Sequence, residues 1–457
     1  MQILFGILGL GLVVIIHEAG HFLAARAVGI HVEVFSVGWG KKLWGFTRGG
    51  TEYRISLIPL GGFVKMKGET AYQKAVEEGL DEIEPQENSF FSAAPWKRIV
   101  VAIAGPAMNL LFALLVLAII NLAGFSYSSF ENRIVLADDY PEYHTVSDLP
   151  TPAARAGLET GDRILRVNGE AAENYSELRQ LLATNALEEV NLQVDRNGQT
   201  FQRSAELVLD NQTGAGILGI SPFIEPIISS PVEGESRGLE PGDRITAINA
   251  TEVDNSFDVR RVLDSLPIGT DQVYADITVQ RDGEAVTLEH PLQYNQEQDA
   301  LYLGYYYSQE SYRHAADGPL DALASGWNEI GNTLAMTFKG LGLMFRGLDP
   351  MSALSGPIRI VDMVGQVTAQ GLSQGIAEGL RSFFHLLSLL SVALFFGNLL
   401  PIPVLDGGQI VVFTAEMIKR KPIKPRTFFR YQTIGAIIVF GLIAFVLFSD
   451  LLYIFAG

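Results

Sequence analysis

His17-Glu18-Ala19-Gly20-His21 places two imidazoles four positions apart, with a carboxylate beside the first. On a helix that spacing turns the second side chain by about 40° and lifts it by about 6 Å, so both rings reach one point from one face. Two neutral imidazoles converging in this way can hold zinc, and Glu18 can take the proton of a water that the metal makes acidic near neutral pH. Only seven histidines occur in the 457 residues, so the pattern is rare by chance. It also lies inside an otherwise apolar run, residues 3–28. There, two imidazoles and a carboxylate cost several kcal/mol unless they are partnered or used. The alternative is a polar seam between helices that holds no metal.

A catalytic zinc takes three protein ligands, so a third must come from elsewhere. The chain has no cysteine, which excludes thiolate ligands, disulfides, iron–sulfur clusters and a cysteine nucleophile. His144, His290 and His314 fall in a long polar segment, His31 lies beyond the first apolar run, and His385 opens a later one. The better candidate is Asp406, in Asn398-Leu399-Leu400-Pro401-Ile402-Pro403-Val404-Leu405-Asp406-Gly407-Gly408. Pro401 and Pro403 break a helix there, and broken backbone at membrane depth is tolerated only where it is buried in protein or lines a wet cavity. A lone carboxylate in such a place wants a cation, the alternative being a helix cap at a membrane boundary. Asn398, one turn before the break, can hydrogen-bond an extended substrate strand or serve a helix-to-helix contact.

The elements that must position these residues follow from hydropathy. Mean hydropathy is +0.22, with 48% apolar and 18% charged residues, which excludes a disordered chain and an ordinary soluble enzyme. Residues 3–28, 108–125, 383–400 and 434–455 form four runs long enough to span a bilayer. The first is not read as a signal peptide, because no Lys or Arg precedes it and no small-residue cleavage site follows. Lys41, Lys42, Arg48, Arg54, Lys65 and Lys67 crowd the loop after the first run, and Lys419, Arg420, Lys421, Lys424, Arg426 and Arg430 the loop after the third. By the positive-inside rule both loops are cytoplasmic. Residues 126–376 hold 37 acidic against 16 basic residues and belong on the exported side, the periplasm where an outer membrane exists. The net charge of −18 disfavours nucleic acid as a partner.

The exported segment repeats itself. Gly157-Leu158-Glu159-Thr160-Gly161-Asp162-Arg163-Ile164 returns as Gly238-Leu239-Glu240-Pro241-Gly242-Asp243-Arg244-Ile245, and the same offset aligns Asn174 with Asn255. This tandem duplication resembles PDZ domains, which bind extended peptide ends by strand addition. The other reading is a pair of spacers, and neither copy has a plain glycine-rich carboxylate-binding loop. Downstream, Leu320, Leu323, Trp327, Ile330, Leu334, Phe338, Leu341, Phe345 and Leu348 recur at spacings of three and four. They predict an amphipathic helix on a membrane face or in an ordinary core. In the first cytoplasmic loop, residues 51–58 alternate as a strand that residues 32–39 can pair with. That edge could hold an extended substrate or be a purely structural hairpin.

Together these motifs resemble the site-2 protease family of intramembrane zinc metalloproteases, specifically the bacterial RseP type, over essentially the whole chain. Ile58-Pro59-Leu60-Gly61-Gly62-Phe63, Ala104-Gly105-Pro106-Ala107-Met108-Asn109 and Leu354-Ser355-Gly356-Pro357-Ile358 are further pieces of that likeness. The resemblance implies a multi-pass bacterial inner-membrane protease with periplasmic PDZ domains and an active site near the cytoplasmic side. In that reading His17, His21 and Asp406 bind zinc, Glu18 is the base, and Asn398, Pro401, Pro403, Gly61 and Gly62 contact substrate. It further implies single-pass membrane substrates already trimmed by a site-1 protease, among them anti-sigma factors of the envelope stress response and remnant signal peptides. In the same reading the PDZ pair acts as a size filter, membrane lipid is a partner, and the chain is a monomer.

The expected fold is thus a polytopic α-helical membrane protein with four transmembrane helices, a membrane-associated β-hairpin and two tandem PDZ-like α+β domains on the exported side. The expected divisions are a first span at 1–28, a loop with the hairpin at 29–97, a second span at 98–125, PDZ-like domains at 126–220 and 221–308, and an amphipathic region at 309–376. A broken third span at 377–418, a basic loop at 419–433 and a fourth span at 434–457 complete them. Two other classes compete: a membrane-anchored PDZ scaffold that has lost catalysis, disfavoured by the intact motif, and a transporter, which would call for inverted repeats of the spans.

Overall fold

A computed structural model describes residues 2–144, 149–210, 213–232, 238–268, 273–295, 299–344 and 356–456. In chain order the main elements are α1 (Gln2–Ala27), β1 (Val32–Arg48), β2 (Thr51–Met66), α2 (Glu69–Glu78), α3 (Pro95–Ala123), α4 (Tyr175–Ala183), α5 (Ser256–Asp264), α6 (Pro319–Met344), α7 (Pro357–Gln374), α8 (Ile376–Leu399), α9 (Asp406–Lys419) and α10 (Pro425–Ala456). They fall into two compact units, residues 1–125 with 314–457, and residues 126–313.

In the first unit α1, α3, α8 and residues 425–452 of α10 are long and apolar enough to cross a membrane. α1 meets its neighbours through small residues. A methyl group at Gly20 would stand 2.2 Å from the Ala104 carbonyl of α3, and one at Gly6 2.1 Å from the Val361 carbonyl of α7. Without a hydrophobic driving force inside lipid, such close backbone approach is how helices gain contact. α3 starts at Pro95, in the N1 position, so Lys97, expected in the preceding loop, belongs to its first turn beside Arg98. Arg98 is buried there in an ion pair with Glu416 of α9 and stacks on Phe413.

The third apolar segment is broken as its prolines require. α8 stops at Leu399, residues 400–405 run without helix, and α9 begins at Asp406. The glycines after Asp406 let α9 fold back onto the break, since methyl groups at Gly407 and Gly408 would lie 2.3 Å from Leu399 O and 2.2 Å from Ile402 O. α10 starts at Pro425, inside the segment expected to be a basic loop, so Arg426 and Arg430 are helical. Pro425 again opens the helix, and Phe428 joins Tyr72, Val412 and Phe413 in a buried aromatic cluster that fixes this first turn.

The hairpin is longer than the alternating stretch predicts, because β2 bends around β1. Residues 34–37 pair with residues 52–55 on one side and 62–65 on the other. α6 is the expected amphipathic helix, with Ile330 buried against Ala113 and Leu117 of α3 and Trp327 and Phe338 exposed. Phe345, Leu348, Leu354 and Ser355 lie outside the described residues.

The second unit carries the repeat. Each copy is a four-stranded sheet of the same order with a nine-residue helix, α4 or α5, capped by Asn174 or Asn255. The cores are separate, around Ile164, Leu178 and Leu192 in one copy and Ile245, Val259 and Ile277 in the other. The recurring Gly-Leu-Glu-x-Gly-Asp run has a structural cause. Asp162 accepts from Arg196 Nε at 2.6 Å and Asp243 from Arg281 Nε at 2.7 Å. The same arginines also reach the Gly157 and Gly238 carbonyls, at 2.9 and 3.0 Å. Gly157 and Gly238 have φ of +74° and +102°, open to glycine without strain. The copies are joined by Tyr140, whose hydroxyl donates to Asp258 at 2.8 Å and accepts from Asn255 Nδ2 at 2.9 Å.

Candidate metal centre

α1 delivers His17 and His21 to one face, and the helix break delivers Asp406 at the first residue of α9. His17 Nε2 lies 3.1 Å from His21 Nε2 and 3.1 Å from Asp406 Oδ2, and His21 Nε2 lies 3.5 Å from Asp406 Oδ1. Bonds of about 2.0–2.1 Å at tetrahedral angles set ligand atoms roughly 3.3 Å apart, so each of these separations, which reach different oxygens of the one carboxylate, is close to an edge of a zinc coordination tetrahedron. Among the described residues no other group of three His, Cys, Asp or Glu side chains is arranged to hold a metal. His385 pairs instead with Glu329 of α6, 2.7 Å away.

The surroundings fit an ion at that point. The His21 Nδ1–H donates to the Val101 carbonyl of α3 at 2.8 Å, which leaves its Nε2 a lone pair for a metal. Gly105, one turn along α3, faces the same point: a methyl there would sit 2.4 Å from His21 Nε2 and 2.8 Å from His17 Nε2. The absence of a side chain at residue 105 keeps the space before both nitrogens open.

Glu18 is half-buried against β2, where a methyl added at Gly62 would stand 3.5 Å from Glu18 Cγ. Gly61 has φ of +103° and packs on Trp39. Asn398, Val404 and Leu405 join the two histidines, Glu18 and Asp406 around a cleft of about 740 Å³. Pro401 and Pro403 are not among its lining residues; they belong to the turn, with Pro403 against Gly435 of α10. Phe63, Val64 and Met66, on the edge of the bent sheet, also line the cleft.

Sequence reasoning did not pick out the opposite wall, which α2 forms with Glu69, Gln73 and Glu77 at successive four-residue steps. Tyr72 of the same helix lies outside the membrane-spanning segments, and burial pushes its hydroxyl up to about 12. The four-residue spacing was visible, yet nothing in it says which cavity the face would meet. In the sequence Gly105 and Asn109 stand out only as part of the family-like run at residues 104–109. For Asn109 the available signal is a side-chain amide within an apolar helix.

The profile of peptidase family M50 matches residues 5–442. A chain of Treponema pallidum whose name places it with the zinc metalloproteases is 33% identical over 439 residues, covering 95% of each chain. The regulator of sigma E protease of Haemophilus influenzae is 31% identical over 473 residues, covering 98% of this chain and 97% of that one. The match runs through all four apolar helices, the hairpin and the repeats. The protein therefore belongs to peptidase family M50, the site-2 proteases.

Proposed function

We propose that this chain is an intramembrane zinc metalloprotease of the bacterial inner membrane that cuts trimmed single-pass membrane proteins within or near their spans. The observation that carries the reading is the triangle of His17, His21 and Asp406 donor atoms with Glu18 beside it, inside apolar helices and open to a cleft. When bound there, zinc supplies Lewis acidity, which makes water acidic near neutral pH and polarises a carbonyl. Glu18 takes the proton of the attacking water and returns it to the departing amine. Gly61, Gly62 and the edge at residues 62–66 receive the substrate as an added strand, with Asn398 binding its backbone from the other side and Pro401 and Pro403 holding that side in place. An extended chain is needed because a helix hides its amide bonds, and inside lipid an unpaired backbone is costly.

By the positive-inside rule, the basic loops support a cleft near the cytoplasmic face and repeats in the periplasm. The relative from Haemophilus influenzae is named as a regulator of sigma E. That name supports anti-sigma factors as substrates, and remnant signal peptides and prior trimming by a site-1 protease fit the same single-span chemistry. The repeats, as tandem PDZ-like domains, act as a size filter. In support, neither copy has a plain glycine-rich carboxylate-binding loop.

The test is a reconstituted assay with a trimmed single-span peptide. Wild type is expected to hold one zinc and cut; Glu18→Gln should keep the zinc and cut about 10²- to 10⁴-fold more slowly. Full zinc with undiminished turnover in Glu18→Gln would refute the assignment of the base.

A further inference from the structure

Three residues of α3 lie one turn apart on the face that meets the two histidines: Val101, Gly105 and Asn109. Val101 accepts from His21 and Gly105 leaves the space before the ring nitrogens open. Asn109 is fully buried, and its side-chain nitrogen Nδ2, as placed, stands 3.3 Å from His17 Nδ1. A histidine that binds a metal through Nε2 carries its proton on Nδ1, and that proton needs an acceptor. With the amide nitrogen toward the ring, Nδ1 would have to accept, the proton would move to Nε2, and the ligand lone pair would be lost. In that orientation the Asn109 oxygen is also buried without a donor. With the oxygen toward the ring it gains one, the Nδ1–H of His17. The two orientations have the same shape, so the choice rests on the tautomer His17 needs when its Nε2 serves a metal.

We propose that Asn109 is a positioning residue. Its Oδ1 accepts from His17 Nδ1–H, fixing the tautomer that presents Nε2 to the metal, as the Val101 carbonyl does for His21. α3 then supplies the outer partners of both imidazoles, and Gly105 between them leaves room for the ion. A backbone carbonyl cannot be replaced by substitution, whereas the Asn109 acceptor can, which makes it the testable member of the pair. This rests on the reading of His17 as a zinc ligand.

The experiment is a zinc titration by chelator competition on the purified full chain, comparing wild type, Asn109→Leu, Asn109→Asp and His17→Ala, with a thermal melt of each. Leu matches Asn in size and lacks the acceptor; Asp keeps an acceptor at the same reach. Asn109→Leu is expected to weaken zinc binding by about 10- to 100-fold, and Asn109→Asp to stay within a few-fold of wild type or bind more tightly. Wild-type affinity in Asn109→Leu would overturn the proposal, and so would equal losses in the Leu and Asp variants, which packing alone would produce. Should Asn109→Leu fail to fold, a tenfold loss in a folded Asn109→Asp overturns it still. If His17→Ala keeps wild-type affinity, the ligand reading itself fails, which is distinct from a failure confined to Asn109.

Discussion

Asp406 is the residue whose reading turns most on geometry. It comes 389 positions after His17, yet its carboxylate meets both imidazoles, because the two prolines end α8 and allow the chain to restart as α9 at that residue. A cap to a surface helix would not require it to face two histidines. Truncation to Asp406→Ala is expected to lower zinc affinity and proteolysis together, since two neutral ligands and no anion hold zinc poorly. Asp406→Glu should retain part of each, as the carboxylate is kept and only its reach changes. Zinc content and turnover measured on one preparation check this, and wild-type zinc affinity in Asp406→Ala would place the ligand elsewhere.

The repeats show why a recurring sequence run need not be a recurring ligand site. In each copy the aspartate of Gly-Leu-Glu-x-Gly-Asp takes an arginine from the sheet and a backbone N–H of its own turn, so the run specifies a turn and a strand entry. The Arg281 guanidinium, hydrogen-bonded to Asp243, holds that carboxyl below the usual carboxylate range. A carboxylate depressed in the folded state contributes stability that is present above its unfolded pKa, about 3.9, and lost as pH falls through the lower folded value. Thermal unfolding of a fragment comprising residues 126–313 is therefore expected to lose stability on acidification below about pH 4. Asp243→Asn should cost about 1.5–3 kcal/mol at pH 7, the worth of a hydrogen bond to a charged group, and should lessen the acid-side loss. An unchanged midpoint at pH 7 would show that the turn holds without the ion pair.

For the whole molecule, the second unit is an insertion: residues 126–313 interrupt a first unit that closes with residues 314–457. A filter and a receptor can share this topology, and they differ in what deletion does. Removing residues 150–305 should let the protease cut a substrate that still carries a folded exported domain, while trimmed substrate is cut at a rate close to that of the full chain. If the repeats delivered substrate by binding it, the same deletion would slow trimmed substrate, because its local concentration at the cleft falls. Cleavage of long and trimmed versions of one membrane peptide by both proteins decides between them. A zinc-loaded, folded deletion that still leaves the long substrate uncut would refute the filter.

Local chemistry was legible in the residues alone. His17, Glu18 and His21 are brought together by helical periodicity within one element, the prolines at 401 and 403 forbid a continuous helix, and the repeat betrays itself letter for letter. Four spans follow from the length of apolar runs, because a bilayer imposes one length on every crossing helix. The start of α10 at Pro425 did not follow: basic residues mark a side of the membrane, and they are equally at home in the exposed first turns of a helix that an aromatic cluster holds in place. The rest depended on distance in space between parts far apart in sequence. The backbone contact of Gly20 with Ala104, the bend of β2 that turns residues 62–66 toward Glu18, and the α3 face of Val101, Gly105 and Asn109 behind the histidines are pairings between elements. Periodicity says which face of a helix is special. Only packing decides what that face meets, because a glycine or an asparagine acquires its role from the atoms that a neighbouring element brings within a few ångströms of it.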